Sequence, residues 1–355
     1  MRIDTRTIKR IDKSSMLESI CEFPLQIRKG WDIGTGKTIS LALSDIDSIV
    51  FSGMGGSAIA GDLVKSIAPE IPVPFVVNRS YTIPVFTNAK TLFIVSSYSG
   101  NTEETLSALK KAMEKKCQII CITSGGEVES IGRDKGFSVY KMEKGYQPRA
   151  ALGFSLGIIF SLLKEMGCKT ISYEDVEKTA HFLEDKIEEW QQPSQESNIS
   201  LQLAEKIKGK IPLLYGSVDT CAAVAHRWKT QLNENSKTHA FVQSFSEMNH
   251  NEIVGWEVLP ETSSFFANLC AIFLKVKDDL DRNLYRMDIT KSLIEDSGVD
   301  TITINAEGFS FFSRMMYLIV LGDFVSFYLA VLYGIDPTEI EKINILKKYL
   351  KKRKE

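Results

Sequence analysis

The sequence has almost no net charge, no apolar leader and no cysteine pairs at metal-binding spacing. Its 43 Lys and Arg against 45 Asp and Glu leave a formal charge of −2, which removes the electrostatic case for nucleic acid or an anionic membrane. Met1–Arg10 is charged and carries no apolar segment, so no secretion signal is read there and a cytoplasmic protein is expected. The six cysteines are scattered through apolar or helical surroundings and read as reduced core thiols. Cys117 and Cys121 lack a nearby histidine or second pair to complete a zinc site, so no metal is expected. Nothing fits G-x-x-x-x-G-K-[ST], which removes support for a P-loop nucleotide site. One stretch, 315–335, is apolar enough to raise the question of a membrane span. Asp323 interrupts it, and a buried core helix is the better reading.

What is present is an alternation of strands and helices. A chain of 355 residues with 44% hydrophobic content is too long for one core and too apolar for disorder, so two domains are expected. In the first half, strands are read at 47–52, 73–77, 91–96, 117–122 and 137–141, and in the second at 211–216, 239–243, 269–276 and 301–305. With helices between them, this is the pattern of doubly wound α/β domains with mainly parallel sheets. A long helix opened by a Ser172-x-x-Asp175 capping box carries Val176, Ala180, Leu183, Ile187 and Trp190 on one stripe. His181 lies beside that stripe and reads as structural. The polar stretch Gln191–Asn198 then separates an N-terminal domain, 1–192, from a C-terminal one, 193–355.

Two bends carry the chemistry. Ser96-Ser-Tyr-Ser-Gly-Asn-Thr-Glu-Glu-Thr105 crowds hydroxyls between a strand and a helix whose Leu106, Leu109 and Met113 recur at helical spacing. One hydroxyl suffices to cap a helix, so this number favours a ligand. Free N–H groups at the helix start, joined by Ser97, Ser99 and Thr102, suit a phosphate. Gly53-Met-Gly-Gly-Ser-Ala-Ile-Ala-Gly-Asp62 forms a second bend, where Gly55, Gly56 and Ser57 let a ligand approach the backbone. Gly53, Gly55 and Ala58 also fit a loose dinucleotide fingerprint, which keeps an NAD(P) oxidoreductase as a rival. The next strand ends in Asn78-Arg79, without the acidic residue that would hold a ribose, although Arg79 could face a 2′-phosphate.

Residues for acid and base chemistry lie further on. Arg149, between a strand and an apolar helix over 150–166, can reach the crevice at the strand ends. A helix is read from about Val218 with Ser217 as its cap, and Val224, Trp228 and Leu232 form its buried stripe. Glu234 then falls off that stripe near the C-terminus, where the negative end of the dipole favours proton uptake and suits a general base, although a solvated terminal glutamate is the commoner occupant of such a place. His250 sits in a polar cluster between apolar strands and can exchange protons near neutral pH, whereas His226 and His239 are weaker candidates.

Several segments together, in one order, resemble the bifunctional phosphoglucose/phosphomannose isomerases of the sugar isomerase (SIS) domain superfamily. They are Gly53–Asp62, Ser97–Thr102, Gln147–Phe154, Asn233–Lys237, Asn249–Trp256, Leu321–Ala330 and Gly334–Thr338. The resemblance spans about the whole chain and implies two SIS domains and isomerisation of a six-carbon sugar 6-phosphate through a cis-enediol, with no metal or redox cofactor. It implies that Ser57, Ser97, Ser99 and Thr102 hold the phosphate, Glu234 moves the proton and Arg149 stabilises the oxyanion. It also implies that His250 opens the ring from the neighbouring subunit of a homodimer, and that Thr338 and Lys347 reach the substrate. Where relatives show Asp-Pro-Thr-Pro, this chain has Asp336-Pro-Thr-Glu339, and Lys342 competes with Lys347 for the lysine role. Glu339 near the pocket could alter the balance between glucose and mannose substrates. A noncatalytic sugar-phosphate sensor is the alternative, and the joint presence of Glu234 and His250 argues against it.

Overall fold

The computed structural model describes residues 3–36 and 41–352. Nine strands form among these residues, each within three residues of its expected limits, because short apolar runs between turn residues leave little freedom in where a buried strand lies. β1 (Ser48–Ser52), β2 (Phe75–Asn78), β3 (Thr91–Ser97), β4 (Gln118–Thr123) and β5 (Ser138–Lys141) make one parallel sheet in the order β2-β1-β3-β4-β5. β6 (Ile211–Ser217), β7 (Phe241–Phe245), β8 (Leu269–Lys275) and β9 (Asp300–Asn305) make a second, ordered β7-β6-β8-β9 and also parallel. The two orders match, so the second half repeats the topology of the first without its fifth strand.

In the first sheet the direction of winding reverses between β1 and β3, the place where a doubly wound sheet opens a crevice. Ser52 lies in register with Val95, so the bends that follow these two strands start side by side. The helix Ala222–Asn235, first of the second half to follow a strand, packs on the helix Gly55–Ile67, its counterpart in the first half. It begins later than expected from Ser217. Residues 218–221 form a turn, Cys221 takes the cap position, and the Ser217 hydroxyl accepts from Asn283 Nδ2 at 2.9 Å instead of capping.

The apolar stretch around Asp323 is the helix Phe311–Tyr333, buried in the largest core cluster. Its length and composition would suit a membrane, but every residue of its most apolar window is inside the protein. The capping box at Ser172 forms as read, with the Ser172 hydroxyl accepting from the Asp175 N–H and the Asp175 carboxylate from the Ser172 N–H. All six thiols are free; burial pushes those of Cys21, Cys121 and Cys221 up to about 12, which leaves them protonated and inert at neutral pH.

Candidate active site

The two bends of the first domain lock together. The Tyr98 N–H donates to Ser57 Oγ at 3.2 Å, the Gly100 N–H to Ser97 Oγ at 3.1 Å, and the Asn101 N–H to Ser99 Oγ at 3.3 Å. Ser97 and Thr102 hydroxyls lie 3.1 Å apart. Ser57 and Ser99 thus accept from the backbone and keep their O–H groups to donate, the polarity an anion requires, while one hydroxyl of the Ser97–Thr102 pair donates to the other and leaves one O–H of the two for a ligand. Thr102 stands at the cap of the helix Glu103–Glu114 but makes no side-chain cap bond. Gly100 has φ +68°, and a Cβ there would fall 1.8 Å from the Gly125 carbonyl oxygen, so only glycine fits this bend.

Arg149 reaches the same place from a 3-10 turn, Pro148–Ala150, whose leading proline presets the backbone for it. A Cβ on Gly56 would lie 3.0 Å from the Pro148 oxygen and 3.1 Å from Arg149 Cα, so the first bend approaches this turn almost backbone to backbone. The Arg149 side chain is buried, and every arm is engaged. Nε donates to Asn235 Oδ1 at 2.6 Å, Nη1 to Glu234 Oε2 at 3.3 Å, and Nη2 to the carbonyls of Pro337 and Thr338 at 2.7 and 3.1 Å. Burial, against the pull of nearby Glu234 and Asp336, lowers the pKa of this guanidinium from its ordinary value. An arginine stays charged regardless, so a full positive charge stands in a dry site.

Glu234 keeps 28% of its side chain exposed. It lies at the end of the helix Ala222–Asn235, off the apolar stripe of Val224, Trp228 and Leu232, as its spacing predicts. A second stripe runs beside the apolar one and is not among the sequence-based expectations. Arg227, Gln231 and Asn235 recur every four residues and are all buried. Arg227 Nη2 donates to the Arg149 carbonyl at 3.0 Å and to Asp323 Oδ2 at 2.6 Å, Gln231 Nε2 donates to Asp323 Oδ1 at 2.8 Å, and Asn235 Nδ2 donates to Ser326 Oγ at 2.9 Å. Three polar residues at i, i+4 and i+8 on a helix with an apolar face are the available signal, and they answer Asp323 and Ser326 on the long buried helix.

Lys237 is a further site residue that the sequence does not single out. It stands past the end of the helix with φ +56°, and its Nζ donates to the carbonyls of Glu234, Asn235 and Asp336 at 2.8, 3.2 and 3.2 Å. Thr338 is thereby held next to Glu234 through Arg149 and Lys237, and its Oγ1 is buried without a hydrogen-bond partner.

Two candidates stand elsewhere. His250 ends a short turn, Glu247–His250, beyond β7 and is exposed; among the described residues it has no hydrogen bond or ion pair with any other site candidate. Lys347 lies on the helix Glu341–Leu350, exposed along its whole length, as does Lys342. His226, half-buried, lines a separate cavity of about 880 Å³ with Asp62, Arg79 and Asp219, and burial lowers its pKa. Arg79 pairs with Asp62, so the cation a dinucleotide 2′-phosphate would need is already engaged. Among the described residues no three His, Cys, Asp or Glu side chains converge to hold a metal.

Two parallel sheets of matching order, with a hydroxyl-lined bend at the switch point, define a protein of SIS-domain type. The SIS domain family matches residues 42–135, and the bacterial phospho-glucose isomerase C-terminal SIS domain family matches residues 196–350. A bifunctional phosphoglucose/phosphomannose isomerase of Caldicellulosiruptor bescii is 42% identical over 94% of this chain and 98% of its own length. That of Aquifex aeolicus is 37% identical over 88% and 93%. In three dimensions a hypothetical protein of Thermus thermophilus superposes with a TM-score of 0.76 at 12% identity, covering 98% of this chain and 92% of that one, a likeness of fold. The chain belongs to the bifunctional phosphoglucose/phosphomannose isomerase family.

Proposed function

We propose that this protein interconverts glucose 6-phosphate, and mannose 6-phosphate, with fructose 6-phosphate through a cis-enediol. One observation carries the reading: a buried, fully engaged guanidinium lies 3.3 Å from the only partly buried Glu234 carboxylate, beside two bends whose Ser57 and Ser99 hydroxyls are free to donate to a phosphate. Family membership supports the same reaction.

In this mechanism Ser57, Ser97, Ser99 and Thr102, with the free N–H groups at the starts of the helices Gly55–Ile67 and Glu103–Glu114, hold the phosphate. The phosphate does not react, so its binding energy serves to orient the other end of the sugar. Glu234 takes the proton from one carbon and returns it to its neighbour. Arg149, whose charge is fixed and desolvated before the reaction, meets the oxyanion that develops on the enediol. The two aldoses differ only at the carbon that becomes the carbonyl and give one enediol, so a single base serves both. Ring opening is assigned to His250 of a second copy of the chain, and the homodimer belongs to the proposal for that reason. Thr338, its hydroxyl turned inward, is read as a substrate contact.

The test is formation of fructose 6-phosphate from each aldose phosphate in the presence of EDTA, for the wild type and Glu234→Gln. Turnover of both sugars by the wild type and a loss of about 10²- to 10⁴-fold in kcat for the variant is the expected result. A wild type that binds glucose 6-phosphate without turning it over would establish the sensor instead.

A further inference from the structure

Asn235 sits between the arginine of the site and the buried helix, and nothing in the reaction itself calls for it. It is wholly buried at the end of the helix Ala222–Asn235. Its Oδ1 accepts from Arg149 Nε at 2.6 Å, and its Nδ2 donates to Ser326 Oγ at 2.9 Å. The Ser326 hydroxyl in turn donates to the Asp323 carbonyl at 2.8 Å.

The chain of bonds has a direction. Ser326 uses its proton on a backbone carbonyl, so toward Asn235 it can only accept; this fixes the amide with its nitrogen toward the helix Phe311–Tyr333 and its oxygen toward Arg149. An amide turned the other way would set a donor against the Nε–H. The guanidinium plane is therefore set by a residue immediately following the base in sequence, and base and oxyanion partner are positioned by the same last turn of helix. We propose that Asn235, oriented by Ser326, is a positioning residue that holds Arg149 in register with the Glu234 carboxylate for proton transfer. The inference rests on the isomerase reading above.

The guanidinium of an arginine offers its N–H donors at three nitrogens, Nε, Nη1 and Nη2. Here Nη2 is taken by the Pro337 and Thr338 carbonyls and Nε by Asn235, while Nη1 meets Glu234 alone, at 3.3 Å the longest of the four bonds, so Nη1 is where a substrate oxygen can be received beside the base. Removing the amide oxygen lets the plane rotate and turns Nη1 away. Replacing it with a carboxylate adds a second negative charge beside Glu234 and draws the guanidinium toward itself.

Three variants test this against the wild type: Asn235→Leu, Asn235→Asp and Ser326→Ala. Asn235→Leu is expected to lose roughly 10- to 100-fold in kcat, as a misplaced group does, with KM for fructose 6-phosphate nearly unchanged. Asn235→Asp, of the same shape, should move the acid limb of the kcat profile to higher pH, because the added charge eases proton uptake by the base. Ser326→Ala should lower kcat by a smaller factor in the same direction. A structural role alone would lower melting temperature and active fraction without touching the pH profile. An active wild type whose Asn235→Asp and Ser326→Ala variants keep its kcat and its pH profile overturns the positioning role alone. A wild type that turns over neither sugar removes the isomerase reading and this role with it.

Discussion

Arg227 and Asp323 form a salt bridge with both side chains almost out of reach of water, 1% and 5% exposed. Burial raises the pKa of Asp323, and the Arg227 charge and hydrogen bond, with Gln231, oppose that rise. The arginine also carries the backbone of Arg149, so the pair supports the site as well as the core. Removing one partner leaves the other charge buried and alone. Arg227→Met is expected to cost about 3–5 kcal/mol, and Arg227→Met with Asp323→Leu to recover much of it, as urea unfolding would measure. Little of this is legible in the sequence. The interruption at Asp323 marks the helix as buried in protein, but its partner is 96 positions away, and no spacing rule reaches that far. Ser97, Ser99 and Thr102 stand out in the sequence because they share one local pattern, a bend at a helix start, whereas Glu234 is an ordinary helix-end glutamate by pattern and is singled out by the family resemblance alone. Lys237 falls within a family-like motif yet has no role there that the sequence shows, since its role depends on where Asp336 comes to lie.

Among the elements, the helix Glu341–Leu350 differs most from its neighbours. Other long helices bury an apolar face, whereas this one leaves Ile345, Leu346, Tyr349 and Leu350 open, each 42% exposed or more. It contributes little to the stability of a single chain for that reason. Truncation after Ile340 is expected to change the melting temperature by less than about 2 °C, since no buried apolar contact is lost. If Lys347 is the lysine that reaches the sugar, the same truncation lowers kcat, and the combination of an unchanged melting curve with lost activity would assign the helix a role in turnover alone. The sequence supports two readings of this helix, a solvated end and the carrier of a substrate lysine; in one chain only the first is realised. By contrast, the strand-turn-helix units of the first sheet are readable almost residue by residue, because glycine and serine punctuate them.

For the molecule as a whole, the site lies where the two halves meet. The phosphate bends and Arg149 come from the first half, while Glu234, Asn235 and the 336–338 segment come from the second. A histidine for ring opening is not among the described groups assembled there, and His250 is exposed. If a second copy supplies it, two inactive variants complement each other. Mixing Glu234→Gln with His250→Ala after unfolding and refolding together gives mixed dimers in which one site has both groups intact. Activity approaching about a quarter of the wild type is then expected from random pairing, with roughly half of the dimers mixed and one good site in each. Mixtures no more active than either variant alone would place ring opening within a single chain. Sequence could not decide this, because an interface between copies leaves no periodic trace in one of them.

The grip on residues 336–338 from outside is a grip on the main chain: Arg149 and Lys237 take three successive carbonyls, and within the segment the Asp336 carboxylate accepts from the Thr338 N–H at 2.8 Å. Such a clasp depends on Asp336 but takes nothing from the side chain that follows Thr338. Glu339 lies just past the last gripped carbonyl, so exchanging its side chain alters the surroundings of Thr338 without breaking any of these bonds.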